Sequence, residues 1–122
     1  MLEHKHFIAS GKCNRMFHSP EILEDWVVRL IDALNMQVLY GPFSMYCDIP
    51  GNKGITSVTL LTTSHIIIHI FEEENYSEIQ LDVYSCSNID LEVVFSFLKE
   101  LDIFNVSYKF LDRETDLTDK IF

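Results

Sequence analysis

One stretch of the chain, residues 54–86, combines β-strand patterning with a dense set of reactive side chains. An apolar run in it is interrupted at Thr62-Thr63-Ser64-His65, where hydroxyls and an imidazole stand between aliphatic segments. If the segment that follows is extended, alternate side chains share a face, so His65 and His69 lie on the same side. Cys86 closes a further strand-like run. The stretch therefore predicts that a hydroxyl, an imidazole and a thiol meet in one pocket near the ends of adjacent strands.

The apolar periodicity of the whole chain predicts an α+β fold. Spacing of three and four residues indicates two helices. One begins at Ser19-Pro20-Glu21, with the Ser19 hydroxyl as N-cap, and runs to about Asn35; the other has its N-cap within Asn88-Ile89-Asp90 and runs to about Leu101. Alternating or continuously apolar runs predict strands over 4–9, 36–40, 43–47, 56–62, 65–71, 79–85 and 104–110. Because regular βαβ alternation is missing, we expect a two-layer sandwich with both helices on one face of a mainly antiparallel sheet. The apolar strands also need cover on the other face, and a second copy of the chain supplies it in the simplest arrangement.

Composition limits the partners and the compartment. A length of 122 residues suits one domain, and no apolar run reaches the roughly 20 residues that span a bilayer. The net charge of −10 disfavours nucleic acid and anionic membranes and favours a cationic small molecule. The N-terminus does not resemble a signal peptide. The odd number of cysteines, Cys13, Cys47 and Cys86, without CxxC spacing, indicates reduced thiols and a cytoplasmic protein.

A spaced set of residues matches a known family pattern. The set consists of Thr56, Thr63-Ser64-His65, His69, Phe71-Glu72-Glu73 and Leu81-Asp82-Val83-Tyr84-Ser85-Cys86. It resembles the bacterial and archaeal S-adenosylmethionine decarboxylase family, and the segments 51–56 and 108–113 resemble a phage and cyanobacterial branch of it. The resemblance covers roughly residues 4 to 113. It implies the same sandwich, dimerised into four layers with active sites near the interface.

The resemblance implies that the chain makes its own cofactor. In such a protein the Ser64 hydroxyl attacks the Thr63 carbonyl, and the Thr56 hydroxyl stabilises the tetrahedral intermediate. His69 then removes the Ser64 Cα proton. The single domain 1–122 is thereby cut between Thr63 and Ser64, and the second fragment begins with a pyruvoyl group.

The resemblance also implies what the cut protein does. The pyruvoyl group receives the substrate amine as a Schiff base and accepts the electrons that departing carbon dioxide leaves, which no ordinary side chain does. Cys86 is then the acid that reprotonates the substrate carbon. Phe71, Glu73 and His65 fall at substrate-binding positions. The expected reaction is decarboxylation of S-adenosylmethionine for polyamine (spermidine) biosynthesis, by a processed homodimer without a metal.

Several alternatives stay open from the sequence alone. Relatives of this size act on arginine or ornithine, and a non-catalytic paralogue would keep the fold and pair with an active partner. A metal hydrolase that uses His65, His69 and Cys86 is a third possibility. His4 and His6 alternate as two metal ligands would, but no third ligand is near them in the sequence.

Overall fold

The chain folds into an antiparallel sheet with two helices on one side. The computed structural model describes residues 3–14, 17, 19–115 and 117–119. The strands are β1 (Lys5–Cys13), β2 (Val38–Cys47), β3 (Gly54–Leu61), β4 (Ser64–Glu72), β5 (Ser77–Ser85), β6 (Ile103–Asp112) and β7 (Thr118–Asp119), and the helices are α1 (Pro20–Ala33) and α2 (Leu91–Glu100). The sheet order is β2-β3-β4-β5-β1-β6-β7 with every pairing antiparallel. The α+β prediction is confirmed.

The two faces of the sheet have different surroundings. The inner face packs against both helices and carries the alternate strand residues that are buried, such as Ile66, Ile68 and Ile70 on β4. Each such side chain contributes about 1.5–3 kcal/mol when it leaves water. The two helices are joined where the Trp26 indole N–H donates to the Phe97 carbonyl at 3.0 Å. The core therefore lies between one sheet face and the helix pair, which is the two-layer sandwich expected from the sequence.

The helix boundaries follow local chemistry, with one difference from expectation. Asp90 caps α2 as predicted, because its carboxylate accepts from the backbone N–H groups of Glu92 and Val93. Ser19 makes no such bond and instead donates its hydroxyl proton to the Glu21 carboxylate. Pro20 and the acidic first turn thus begin α1 without a hydroxyl cap.

A β-bulge changes the predicted pattern of the last strand. The pairing of β1 with β6 shifts between Ser10 and Lys12, and Asn105 takes a left-handed φ of 54° beside the shift. Because of it, Phe104 pairs with the outward-facing Lys12, whereas Tyr108 pairs with Ala9 on the inner face. The apolar alternation over 104–110 therefore does not mark one face. Ile103 takes the inner position, in contact with Gly11.

A buried ion cluster fastens the end of β6 to the start of β1. Lys5 is 3% exposed, and its ammonium group contacts the carboxylates of Asp112, at 2.7 Å, and Glu114. The backbone N–H of Arg113 donates to the His4 carbonyl at 2.6 Å. These bonds hold residues 112–114 against β1, so that the Arg113 guanidinium lies 4.6 Å from the centre of the Tyr84 ring.

The outer face of the sheet, opposite the helices, carries half-buried and exposed side chains. Near the β2 edge it includes large exposed apolar groups: Phe43 (51% exposed), Met45 (73%) and Leu60 (46%). In the described part of the chain, neither helix is long and apolar enough to cross a membrane.

Candidate active site

The Thr63–Ser64 peptide bond lies at the tip of a tight hairpin. Thr62 and Thr63 form the turn between β3 and β4, and Leu61 pairs with Ser64 across it. Thr63 has a φ of 56°, in the left-handed region. A β-branched residue with this φ is a conformational outlier, since its side chain crowds the backbone there. The hairpin therefore holds strain next to the residue that the sequence marks as a nucleophile.

Cys86 reaches the same hairpin from the neighbouring strand. Its backbone N–H donates to Ser64 Oγ at 3.1 Å, and the Thr63 hydroxyl donates to its Sγ at 2.8 Å. The Thr63 oxygen also lies 2.7 Å from the Thr62 carbonyl, so its single proton serves one acceptor at a time. The Thr63 hydrogen bond lowers the pKa of the Cys86 thiol, with a smaller contribution from Ser64 and against the opposing effect of burial. We call Thr63, Ser64 and Cys86 the hairpin group.

A second set of candidate site residues lies around the far end of β4 and on the neighbouring strand β3. Thr56 and His69 face each other across the β3–β4 pairing, and Thr56 Oγ1 is 2.9 Å from His69 Nδ1. The Phe71 ring stacks beside the His69 ring, with centroids 6.0 Å apart. All three side chains are half-buried on the outer face, as the alternation of β4 predicts. Glu73 follows the end of β4, is exposed, and donates its backbone N–H to the Tyr76 carbonyl at 2.9 Å. These four residues form the His69 group.

The two groups do not meet within one chain. Ser64 and His69 are five residues apart on the same strand, which corresponds to roughly 16 Å at about 3.3 Å per residue. Because side chains alternate along a strand and the two positions differ by an odd number, their side chains also belong to opposite faces of β4. Within one chain the structure therefore brings the Ser64 hydroxyl and the Cys86 thiol together but not the His69 imidazole, because the strand separates residues that are close in sequence. The set His65, His69 and Cys86 is likewise not brought together as a metal site.

His65 has a partner that the sequence did not reveal. Its Nε2 lies 3.0 Å from Asp82 Oδ1, and His6 Nε2 approaches the same oxygen at 2.7 Å. The alternation of apolar and polar residues along β5 predicts from the sequence that Asp82 lies on the outer face. The partnership itself depends on the order in which β4, β5 and β1 pair. The sequence therefore gave no means of grouping these three residues.

A groove of about 650 Å³ crosses the outer face beside His69. Its walls come from β4, β5, β1 and β6, and its polar lining includes His69, Gln80, Asp82 and Lys109. The apolar lining includes Ile8 and Ile67. A concave surface that combines polar and apolar lining residues is typical of a ligand-binding site or of an interface with another chain.

The fold and the hairpin group together define a class of protein: a two-layer α+β protein whose strained Thr-Ser junction contacts a thiol. A family model described as S-adenosylmethionine decarboxylase matches residues 5–114. The chain belongs to the S-adenosylmethionine decarboxylase family, which confirms the resemblance inferred from its motifs.

Individual relatives agree with this assignment. The S-adenosylmethionine decarboxylase proenzyme of Geobacillus kaustophilus (strain HTA426) is 33% identical over 49 residues, which are 40% of this chain and 38% of that protein. The proenzyme of Oceanobacillus iheyensis (strain DSM 14371 / CIP 107618 / JCM 11309 / KCTC 3954 / HTE831) is 32% identical over 89 residues, 69% of this chain and 64% of that protein. The chain thus spans less than two thirds of the length of these curated relatives.

A solved structure shares the fold. The crystal structure of the adenosylmethionine decarboxylase from Aquifex aeolicus VF5 matches with a TM-score of 0.67, covering 92% of this chain and 91% of that one. The two sequences are 19% identical over the match, so the likeness concerns the architecture.

Proposed function

We propose that this chain is the precursor of a pyruvoyl-dependent decarboxylase that acts on S-adenosylmethionine after cutting itself between Thr63 and Ser64. The observation that carries the proposal is the left-handed Thr63 next to Ser64 and Cys86. A residue held in such a conformation costs on the order of 1–3 kcal/mol. Opening the Thr63–Ser64 bond releases that strain, which lowers the cost of converting the amide into an ester.

The cut needs only groups of the chain and one water molecule. Ser64 Oγ bonds to the Thr63 carbonyl carbon, the C–N bond breaks, and the Ser64 hydroxyl proton passes to the nitrogen, which becomes a free amino group, so the amide becomes an ester. A base removes the Ser64 Cα proton, and the ester C–O bond breaks to leave a Thr63 carboxylate and a dehydroalanine. Water then replaces the nitrogen, ammonia departs, and residue 64 ends as a ketoacyl group. The products are the fragments 1–63 and 64–122.

The residues around Ser64 suit a ketoacyl group there. The pyruvoyl group supplies an electron sink for the bond that breaks when carbon dioxide leaves, which the side chains do not offer. Cys86 already directs its backbone N–H at Ser64 and keeps its thiol at the same hairpin. Its lowered pKa makes that thiol a stronger acid. We assign Cys86 the role of donating a proton to the substrate Cα.

The base and the hydroxyl that assist the cut come, in this proposal, from a second copy of the chain. His69 and Thr56 lie on the outer face, roughly 16 Å along the strand from their own Ser64. In a homodimer whose outer faces meet, the His69 group of one protomer serves the hairpin group of its partner by reaching it at the hairpin tip, where Thr63 is exposed and Ser64 is half-buried. The exposed apolar side chains near β2 support such a contact, since burying them stabilises a dimer. Each active site is then shared between two chains.

The His69 group also supports the choice of substrate. Phe71 lies half-buried beside His69 and gives an adenine ring an aromatic face on which to stack. The exposed Glu73 carboxylate, two residues further along the chain, offers acceptors to a ribose, and the acidic chain attracts a sulfonium cation. Arginine and ornithine share the α-amino acid and the positive charge but carry neither a nucleobase to stack nor a ribose to hydrogen-bond. We therefore assign S-adenosylmethionine, with its decarboxylated form as the product that enters spermidine biosynthesis.

Intact-mass measurement of the purified protein tests the proposal. We expect two fragments, 1–63 and 64–122, the second without a free amino group. Ser64→Ala should stay whole, because it lacks the attacking oxygen. A wild-type chain that stays full-length after prolonged incubation would overturn the proposal in favour of a non-catalytic paralogue. If the processed protein releases carbon dioxide from arginine or ornithine but not from S-adenosylmethionine, the cut stands and the substrate assignment fails.

A further inference from the structure

Three ligand-type side chains converge on the outer face, one from each of three adjacent strands. His6 lies on β1, Asp82 on β5 and His65 on β4, and their ligand atoms all lie within 4.8 Å of one another. Asp82 Oδ1 is 2.7 Å from His6 Nε2 and 3.0 Å from His65 Nε2. The two imidazole rings meet edge to face, with centroids 6.1 Å apart. We call these residues the His-Asp-His cluster.

We propose that the His-Asp-His cluster binds one divalent transition-metal ion of the Zn²⁺ or Co²⁺ type. Two imidazole nitrogens and one carboxylate oxygen are the ligand types that such ions prefer, and three protein ligands leave a position open for water. No other group of three or more His, Cys, Asp or Glu ligand atoms comes this close within the described ranges. The cluster lies in one chain, so it requires neither the cut at Ser64 nor a partner subunit.

The geometry requires only small movements. Ligand atoms about 2.0–2.1 Å from a tetrahedral ion are roughly 3.3 Å from one another. The two Asp82 contacts are slightly shorter than that, so an ion at the centre spreads them by less than about 1 Å, and the two imidazole nitrogens, which lie within 4.8 Å of each other, approach by at most about 1.5 Å. All three residues sit on paired strands, which hold their backbones at fixed spacing. A site on strands of one sheet is therefore largely formed before the ion arrives.

The cluster is accessible to solvent ions. In the single chain the side chains of His6, His65 and Asp82 are 18%, 30% and 37% exposed, so an ion reaches them without opening the core, and in the proposed homodimer it binds before the outer faces meet. The chain carries a net charge of −10, which raises the local concentration of cations. Access and overall charge thus both favour binding.

The neighbouring residue Arg113 disfavours metal binding at the cluster, so a substitution at this position provides a further test. Arg113 places a guanidinium nitrogen 3.5 Å from His6 Nδ1. When His6 binds metal through Nε2, its Nδ1 carries the proton and needs an acceptor, which a guanidinium cannot provide. Its positive charge also repels the ion. Replacing Arg113 by glutamine removes the charge and supplies an amide oxygen, so Arg113→Gln should bind the ion more tightly than the wild type.

Equilibrium dialysis of metal-free protein against Zn²⁺, with Co²⁺ absorption as a second readout, tests the site. We expect one ion per chain and a Co²⁺ spectrum without thiolate bands, since the cluster contains no cysteine. His65→Gln and Asp82→Asn should each weaken binding by about 100-fold or more, because even outer-shell partners are worth about 10- to 100-fold. His4→Gln is the matched control, because His4 bonds to the Tyr84 hydroxyl at 2.9 Å and lies outside the cluster. It should bind Zn²⁺ like the wild type.

Two further outcomes keep the test decisive. Ser64→Ala should bind Zn²⁺ as the wild type does. The experiment therefore tests the metal site independently of the proposed self-cleavage. Tighter binding by Arg113→Gln, with one ion per chain and a Co²⁺ spectrum still without thiolate bands, would support the site even if a cluster variant folds poorly, since an unfolded chain would also bind through its free cysteines. Absence of stoichiometric binding by the wild type, or unchanged binding after His65→Gln, would overturn the proposal and leave the cluster a hydrogen-bonded brace between strands.

Discussion

The backbone N–H of Cys86 donates a hydrogen bond to Ser64 Oγ at 3.1 Å. The two residues meet because β4 and β5 run antiparallel, so the residue that follows β5 returns to the start of β4. This contact joins the hydroxyl that we propose for self-cleavage to the thiol that we propose for catalysis. Both functions therefore depend on one strand pairing.

Replacing the thiol should separate the two functions. We expect Cys86→Ala to cut itself normally but to lose kcat by about 100-fold or more, which is the usual worth of a general acid. Cys47→Ala, a half-buried cysteine at the end of β2, is the matched control and should retain both activities. Intact mass reports the cut, and release of labelled carbon dioxide reports turnover. Full turnover by Cys86→Ala would move the proton donor elsewhere.

Co-expression of two inactive variants tests whether the site is shared between chains. Ser64→Ala lacks the attacking oxygen and His69→Ala lacks the base, so each alone should remain uncut. In a mixed dimer, the His69→Ala chain keeps Ser64 and receives His69 from its partner. We expect that chain, and not the other, to be cut, as mass spectrometry of differently tagged chains will show. If co-expression yields no fragments, His69 does not act across the dimer.

The aromatic and acidic residues after His69 should affect substrate binding and leave the cut unchanged. Phe71→Ala removes the platform for the base, and we expect the KM for S-adenosylmethionine to rise about tenfold, in line with the worth of base stacking. Glu73→Gln should raise KM because it weakens the acceptors for the ribose. Glu74→Gln, an exposed neighbour, is the control. Steady-state kinetics on processed enzyme give the comparison, and equal KM values for Glu73→Gln and Glu74→Gln would remove Glu73 from the site.

The Lys5 ion cluster predicts a loss of stability in acid. The hydrogen bond from the Lys5 ammonium lowers the pKa of Glu114 to about 2, from an ordinary value of 4.5, against the opposing effect of burial. A carboxylate with a depressed folded-state pKa adds stability above its unfolded pKa, and that stability is lost as the pH falls from 4.5 towards 2. Urea unfolding over this range should show a steeper loss for the wild type than for Glu114→Gln. Parallel curves for the two proteins would contradict the role of this pair.

The sequence by itself determined the local structure. The period-two alternation of β4 placed His65 and His69 on one face, and the carboxylate of Asp90 fixed the start of α2. The order of helices and strands was enough to predict the α+β class, because each element needs to bury one apolar face. The spacing of Ser64, His69 and Cys86 was enough to identify the family, and the family match over residues 5–114 confirms it.

Only the tertiary structure decided which side chains meet. Strand geometry separates Ser64 from His69 by roughly 16 Å although five positions part them in the sequence. The order of pairing brings Asp82 between two histidines that are 59 positions apart. The bulge opposite Gly11 turns Phe104 away from the face that its periodicity favoured. In each case the deciding quantity is the register between strands, which hydrogen bonds and packing across the whole sheet set and which no local pattern contains.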